Sequence, residues 1–208
     1  MFDSLLRIHP VILAFIFGIF TWALTAFGAA AVFLVREINR KIIDLMLGFA
    51  AGVMLAVVYW SMLTPATKIA SERNIAPWVP TAVGFLLGGI FLRGIDRLIP
   101  HLQLGNPLEK AEGIKTHWRR STLLVLAMTL HNIPEGLAIG IAFGAISTQA
   151  SSATLQAAVA LAVGIGIQDI VEGAATSVPL RKDRVSRLKS FWYGQLSCVV
   201  EPIAALFG

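Results

Sequence analysis

The sequence predicts an all-α, polytopic membrane helix bundle with six transmembrane helices. Hydrophobic residues make up 56% of the 208 residues and charged residues only 14%, whereas a soluble domain is about half apolar and a quarter charged. A helix needs about 20 apolar residues to cross a bilayer, and the chain contains several runs of that length. These runs are continuous rather than alternating, which favours helices over the strands of a membrane barrel.

The six spans follow one another with short connections. The first begins at Pro10 and contains no charge, so it is too long for the core of a signal peptide and is predicted to be retained. The polar loop after the third span carries Gly105, Pro107 and Gly113, which are typical of a flexible connection. We predict a single transmembrane domain over residues 1–208, with helices at about 10–35, 44–64, 78–99, 121–146, 153–178 and 190–208, and a cytoplasmic loop at about 100–120.

The basic residues predict the orientation of these spans. Only three of the seventeen, Arg7, Lys68 and Arg73, fall on the side of the N-terminus. The other fourteen fall on the opposite side, which is expected to be cytoplasmic because Lys and Arg concentrate in cytoplasmic loops. We therefore expect a multi-pass protein of the cell inner (plasma) membrane with its N-terminus outside. Since topology accounts for the net charge of +5, that charge gives no support to nucleic-acid binding.

Ionisable and amide side chains are concentrated in the last three spans. A charge at the bilayer centre costs roughly 2.5–3.5 kcal/mol on the insertion scale, so residues of this kind mark functional sites. The fourth span contains His131, Asn132 and Glu135, the fifth contains Gln168, Asp169 and Glu172, and the sixth contains Glu201.

The fourth and fifth spans share a short internal repeat. Each contains two polar residues, Ile, one residue, Glu-Gly, one residue and Ala, as HNIPEGLA at 131–138 and QDIVEGAA at 168–175. At 100° per residue, the glutamate lies at about 40° and the two polar residues at about 0° and 100°, so the glutamate lies between them. Two such helices packed face to face predict a two-metal site in which Glu135 and Glu172 are shared ligands.

The chemistry of these side chains favours divalent transition metals. Imidazole with carboxylates suits Zn, Fe, Mn, Co or Cd better than alkali ions, and the residues alone do not rank them. The four acids Glu135, Asp169, Glu172 and Glu201 would be balanced by two divalent cations. Cys198, the one cysteine, excludes an intrachain disulfide and is expected to have a packing role in its apolar run. We expect no organic cofactor.

Glycines and Pro134 indicate how the helices pack. Pro134 lies in the middle of the fourth span, where it frees the carbonyl of Leu130. Glycines spaced by four residues allow close helix approach, and they occur as Gly136, Gly140 and Gly144, as Gly48 with Gly52, and as Gly84 with Gly88.

The central repeat resembles a known signature. HNIPEG at 131–136 and QDIVEG at 168–173 are similar to the fourth and fifth helices of the ZIP family of zinc and iron transporters, in the bacterial type with a binuclear site. The sixth and second helices are matched by GQL at 194–196 with VEP at 200–202, and by GVML at 52–55. The resemblance implies divalent metal uptake toward the cytoplasm, with zinc as the leading substrate and Cd, Fe and Mn as others.

The resemblance also implies a ligand set. The first metal would be bound by Met54, His131, Glu135, Gln168 and Glu172, and the second by Asn132, Glu135, Asp169, Glu172 and Glu201. Asp44 and Ser61 match positions of the metal pathway more loosely. The implied mechanism is alternating access, in which helices one, four, five and six move like an elevator against the others.

Two departures from the family keep alternatives open. The family has eight helices, whereas this chain stops in its sixth, so a truncated metal-binding protein without transport remains an alternative. Val171 stands where many members have proline, which predicts a straighter fifth helix. From another class of function, a membrane-embedded metal hydrolase would need an open coordination position and a general base, and no His-Glu-x-x-His motif is present. The expected partners are the lipid bilayer and divalent metal ions, and the sequence leaves homodimer formation open.

Overall fold

The computed structural model describes residues 8–35, 39–102, 109, 113–148, 154–181 and 184–208. In these ranges the regular structure is helical and contains no β-strand, which confirms the predicted all-α bundle. The protein is a multi-pass membrane protein, because five helical stretches are long and apolar enough to cross a bilayer: Pro10–Leu34, Lys41–Glu72, Trp78–Ile95, Ser121–Ser147 and Leu155–Arg181. Four of the seventeen basic residues used for the orientation, Arg7, Arg36, Lys110 and Lys182, lie outside the described residues, as do Gly105 and Pro107 of the predicted loop.

Four of the predicted spans appear with nearly the predicted bounds. The N-termini of two of them are fixed locally, because the side chain of His9 accepts from the backbone N–H of Val11 at 3.4 Å and Thr154 Oγ1 accepts from Ala157 at 3.1 Å. The helices are α1 (Pro10–Ala29) with its continuation α2 (Ala31–Leu34), α5 (Trp78–Leu98), α6 (Arg120–Gly144) and α7 (Leu155–Ser177).

The second span is longer than predicted. Helix α3 (Arg40–Val57) passes through a π-helical segment (Val58–Leu63) into α4 (Thr64–Glu72), so the loop predicted to begin at Pro65 is wrong over its first part. Proline has no N–H to donate to the carbonyl four residues earlier. The π-helical segment ends at Leu63, two residues before Pro65, and Thr64 Oγ1 donates to the carbonyl of Tyr59 in that segment at 2.8 Å. The helix therefore continues past the proline by a local change of hydrogen-bond register.

The sixth span, predicted as one helix over 190–208, is two shorter helices. Helix α8 (Arg187–Leu196) ends, a turn follows, and α9 (Val200–Ala205) begins. Pro202 cannot donate to the carbonyl of Cys198, which instead accepts from Glu201 N at 3.0 Å, three residues on. The tighter i to i−3 bonding interrupts the helix where Cys198 and Glu201 lie.

Helix α7 lies at the centre of the bundle. It packs most extensively on α1, then on α3, α6 and α8, while α9 packs on α6 and α1. Ser177 Oγ donates to the Ala29 carbonyl at 3.1 Å, and Trp22 Nε1 donates to the Gln195 carbonyl at 2.9 Å, which ties α7 and α8 to α1. The core at one end of α6 and α7 includes Leu13, Ile139, Phe143, Leu161 and Ile165, and a smaller cluster at the other end contains Leu102, Leu123, Leu124 and Leu180.

Helix α5 lies at the outside of this arrangement. Its main packing partner is α4, and none of the residues from Trp78 to Ile95 is buried. The close-approach faces predicted at Gly84 with Gly88 and at Gly48 with Gly52 are wrong, because a Cβ added at any of them would meet nothing within 4 Å among the described residues. By contrast, Gly136 and Gly140 contact the backbone of α9 and of its C-terminal residues.

Candidate metal centre

The two copies of the repeat place their acids in the interior, between the two apolar clusters. The exposed fraction is 5% for Glu135, 0% for Asp169 and 8% for Glu172. Buried apolar residues lie on both sides of the acids along each helix, such as Leu124 and Phe143 in α6. The polar groups therefore lie in the middle of the span. Burial of this kind is unfavourable for acids unless donors or cations meet their oxygens.

A first cluster joins the imidazole of α6 to the glutamates of α6 and α7. His131 Nε2 lies 3.9 Å from Glu135 Oε1 and 3.8 Å from Glu172 Oε1. Gln168 Nε2 donates to both of these glutamates, at 2.6 Å to Glu135 and 2.9 Å to Glu172. One amide group therefore holds the two carboxylates together, and the imidazole faces both.

His131 differs from the other members of the cluster in its exposure. Its side chain is 57% exposed, whereas Asn132, the next residue, is 1% exposed. Consecutive side chains on a helix point about 100° apart, so burial of Asn132 turns His131 toward the edge of the packed face. The imidazole thus reaches the glutamates from an open side of the cluster.

A second cluster lies between α7 and the break in the sixth span. Ligand atoms of Asp169, Cys198 and Glu201 all lie within 4.8 Å of one another, and the three residues are buried. Glu201 accepts from Thr21 Oγ1 at 2.5 Å through Oε2 and from Cys198 Sγ at 2.6 Å through Oε1. Neither carboxylate oxygen of Asp169 has a hydrogen-bond partner among the described residues.

Several further oxygens at the centre are buried without a hydrogen-bond partner among the described residues. They are Asn132 Oδ1, Glu135 Oε2, Gln168 Oε1 and Glu172 Oε2. Buried polar atoms are almost always satisfied in folded proteins, so a group of unsatisfied acceptors needs an explanation such as an ion. Every one of these atoms is a potential acceptor, and such a set can be satisfied by a cation. Carboxylate, amide and imidazole groups together suit a divalent transition metal.

Close helix contacts set the spacing of both clusters. A Cβ added at Gly136 would lie 2.5 Å from the Glu201 carbonyl oxygen, so α6 and α9 touch directly behind Glu135. On the other side, a Cβ at Gly173 would lie 2.2 Å from the Thr25 carbonyl oxygen of α1. Only glycine fits at these positions, and the contacts bring three helices within reach of one site.

The remaining predicted residues lie on α3 and its π-helical continuation. Met54 is half-buried, three residues before Val57, whose side chain contacts Gly164 of α7. Asp44 is exposed near the start of α3 and belongs to neither cluster among the described residues. Ser61 lies in the π-helical segment and lines a cavity of about 300 Å³ rather than the metal centre.

Two residues at the centre were not predicted from the sequence. Thr21 looked like one hydroxyl in a long apolar span, and Cys198 was assigned a packing role. For Cys198 a signal exists, because it precedes Glu201 by three residues and so falls on the same side of the chain. For Thr21 the sequence offers none, since its partner Glu201 is 180 residues away.

The chain is similar in sequence to known proteins over most of its length. It is 39% identical to "Zinc transporter ZIP11" of Xenopus tropicalis, over 96% of this chain and 80% of that protein. It is 37% identical to "Zinc transporter ZIP11" of Homo sapiens, over 91% of this chain and 77% of that protein. It is 34% identical to "Zinc transporter GufA" of Myxococcus xanthus, over 88% and 70%. No family model matches the chain.

Proposed function

This chain belongs to the ZIP family of zinc transporters, and on that premise we propose that it carries zinc across the membrane into the cytoplasm through a two-metal site. The relatives are named as transporters rather than as enzymes, so the alternative of a metal hydrolase is set aside. Zinc is written here as the substrate that passes through the centre. Cadmium, iron and manganese are further candidates for the same ligands.

The observation that carries the proposal is the group of buried, unsatisfied oxygens shared by α6 and α7. Acids in the middle of a membrane span are costly, and a divalent cation offsets that cost. Of the two sub-sites, the first contains His131, Glu135, Gln168 and Glu172, and the second contains Asn132, Asp169 and Glu201. Glu135 and Glu172 each have one oxygen toward Gln168 and one without a partner, which suits a ligand shared between two ions.

Met54 is proposed as a further ligand of the first ion. Helix α3 belongs to the second span and α7 to the fifth, so the two cross the membrane in opposite directions. The step from Val57 back to Met54 on α3 therefore runs in the same direction across the membrane as the step from Gly164 forward to Gln168 on α7. The contact between Val57 and Gly164 supports Met54 and Gln168 at a similar depth.

The packing supports alternating access by two groups of helices. Helices α1, α6, α7 and α9 contact one another through glycines that fit against backbone, which favours motion as one body. The third span packs less extensively, mainly against α4, and the apolar cavity of about 300 Å³ lies between the second and third spans and the α6–α7 pair. The mainly apolar lining includes Ala138, Ala142 and Ala158, and such small side chains favour a sliding movement.

The distribution of charge supports uptake with the N-terminus outside. The described basic residues Lys41, Arg93, Arg97, Arg181 and Arg187 lie at ends of helices that share one side of the membrane. By the rule that Lys and Arg concentrate inside, that side is cytoplasmic. Asp44, exposed near the same end of α3, is proposed as an acid on the exit path.

The proposal is tested by zinc uptake into sealed proteoliposomes that contain a zinc-sensing dye. His131→Ala and Glu135→Gln should each lower uptake by more than about tenfold, since even partners outside the coordination sphere contribute about 10–100-fold to metal affinity. The matched controls are His117→Ala and Glu72→Gln, which alter exposed residues away from the centre. Wild-type uptake by both site variants, or no uptake by the intact chain, would contradict the proposal.

The number of ions is tested separately on the purified chain. Two cadmium ions per chain are expected at saturation, measured by mass spectrometry of the bound metal after gel filtration. His131→Ala should retain one ion, in the sub-site of Asp169 and Glu201. One ion in the wild type would reject the two-metal site while leaving zinc transport in place.

A further inference from the structure

We propose that Cys198 is a thiolate ligand of the second metal ion, together with Asp169 and Glu201. This assignment deepens the proposed function and rests on it for the existence of the second sub-site. It assigns Cys198 a role in binding rather than in packing, and it adds a thiolate donor to a second sub-site otherwise made of carboxylate and amide groups.

The break in the sixth span is what brings the sulfur to the centre. Cys198 lies in the turn between α8 and α9 and is 0% exposed. Its Sγ donates to Glu201 Oε1 at 2.6 Å, so thiol and carboxylate already face the same point. Loss of the thiol proton would leave two negative donors in that position, as a metal site requires.

Asp169 is the independent observation that points to a ligand at this position. Its carboxylate is 0% exposed, both of its oxygens lack a hydrogen-bond partner among the described residues, and it lies in the same three-residue cluster. Two buried carboxylates this close need either a shared proton or a cation between them. A shared proton would give a hydrogen bond to only one of the two Asp169 oxygens, whereas a cation would also bind the sulfur of Cys198.

The distances suit a small divalent ion. The three ligand atoms lie within 4.8 Å of one another, and tetrahedral zinc with bonds of about 2.0–2.3 Å places its ligands about 3.5 Å apart. Cys198 Sγ and Glu201 Oε1, now 2.6 Å apart, would open by about 1 Å to admit the ion between them. Asn132, whose Oδ1 is also buried without a partner, is available as a fourth ligand from α6.

The assignment has a consequence for selectivity. Thiolate is a soft donor that favours zinc and cadmium over manganese and magnesium. An otherwise hard site of carboxylate and amide oxygens would discriminate less between these ions. We expect Cys198 to shift the second sub-site toward zinc and cadmium.

Cadmium titration of the purified chain, followed by ultraviolet absorption, tests the assignment directly. A cadmium–thiolate bond gives a charge-transfer band, and Cys198 is the one cysteine of the chain, so no other residue can produce it. The wild type should show the band, and Cys198→Ser should lose it while keeping at least one bound ion. In Cys198→Ser, cadmium affinity at the second sub-site should fall by at least about tenfold, and manganese affinity should change less.

His131→Ala separates this inference from the proposed function. That variant should lose one cadmium ion and keep the absorption band, because the first sub-site contains no thiol. Two cadmium ions bound to the wild type without any band would overturn the role of Cys198 and leave the two-metal site in place. Absence of bound cadmium from the wild type would overturn both. Cys198→Ala serves as a second variant if the serine protein is not recovered folded, and it should lose the band in the same way.

Discussion

The contact between Gly28 and Ile170 should be required for zinc binding, although neither residue is a ligand. A Cβ added at Gly28 would lie 2.0 Å from the Ile170 carbonyl oxygen and 2.8 Å from its Cα. Both obstructing atoms are backbone, so no side chain can turn away. Gly28→Ala therefore has to separate α1 from α7.

The size of the separation follows from the distance. To bring the nearest contact from 2.0 Å to an ordinary value of 3.4 Å, the helices must open by about 1.4 Å. Ile170 lies inside the repeat, directly after Asp169 and two residues before Glu172, so the ligands move with it. Metal–ligand distances tolerate changes of about 0.2 Å. We expect zinc affinity to fall by at least about tenfold, with a stability loss of about 1–3 kcal/mol from overpacking.

Two glycine substitutions provide matched controls. Gly88→Ala adds the same methyl group on α5, where it would meet none of the described residues within 4 Å, and should leave uptake unchanged. Gly166→Ala lies in the same α1–α7 contact, but the nearest atom is the movable end of the Leu24 side chain at 2.5 Å, so its effect should be smaller. Shortening the neighbour with Leu24→Ala should offset it.

The assay is zinc uptake in proteoliposomes at subsaturating zinc, with binding measured on the same preparation. Expression level and the gel-filtration profile show whether each variant is folded. If folded Gly28→Ala takes up zinc at the wild-type rate, the argument that this backbone contact sets the ligand spacing is refuted. Ile170→Ala should not rescue Gly28→Ala, because the obstructing carbonyl remains.

Three further results are expected from the contacts of the centre. Gln168→Leu removes the donor shared by Glu135 and Glu172 and should lower zinc-free stability by about 2 kcal/mol, at roughly 1 kcal/mol per hydrogen bond; unchanged thermal unfolding in chelator would contradict this. Thr21→Val removes the hydroxyl that donates to Glu201, so cadmium affinity of the second sub-site should fall about tenfold, equivalent to about 1.4 kcal/mol; equal titration curves would exclude that role. Zinc at 100 times its dissociation constant should stabilise the fold by about 2.7 kcal/mol per site; chelator should reverse the rise in melting temperature, and a rise of the same size with magnesium would argue against a transition-metal site.

The spans and the polar residues within them could be read from the sequence because their signals are local. A run of apolar residues as long as the bilayer is thick specifies a crossing helix wherever it stands. The repeat at 131–138 and 168–175 likewise identified its acids without any knowledge of packing. Local signals also predicted the bounds of the first, third, fourth and fifth spans closely. The second span was underestimated at its end, since a π-helical segment carries it past Pro65 to Glu72.

What the tertiary structure decided is which of these elements touch and through which atoms. Glycine spacing predicted close approach on several helices. Contacts between helices distinguish Gly136 and Gly173, which fit against backbone, from Gly84 and Gly88, where an added Cβ would meet nothing within 4 Å in the described ranges. The sequence identified Glu201, whereas its partner Thr21 is 180 residues away and could be found only in the folded chain. Apolar run length and helical period are properties of one segment, and they determined the class of protein and its polar motif. The second cluster depends on three segments meeting at a break in a helix, and no pattern within a single segment encodes that meeting.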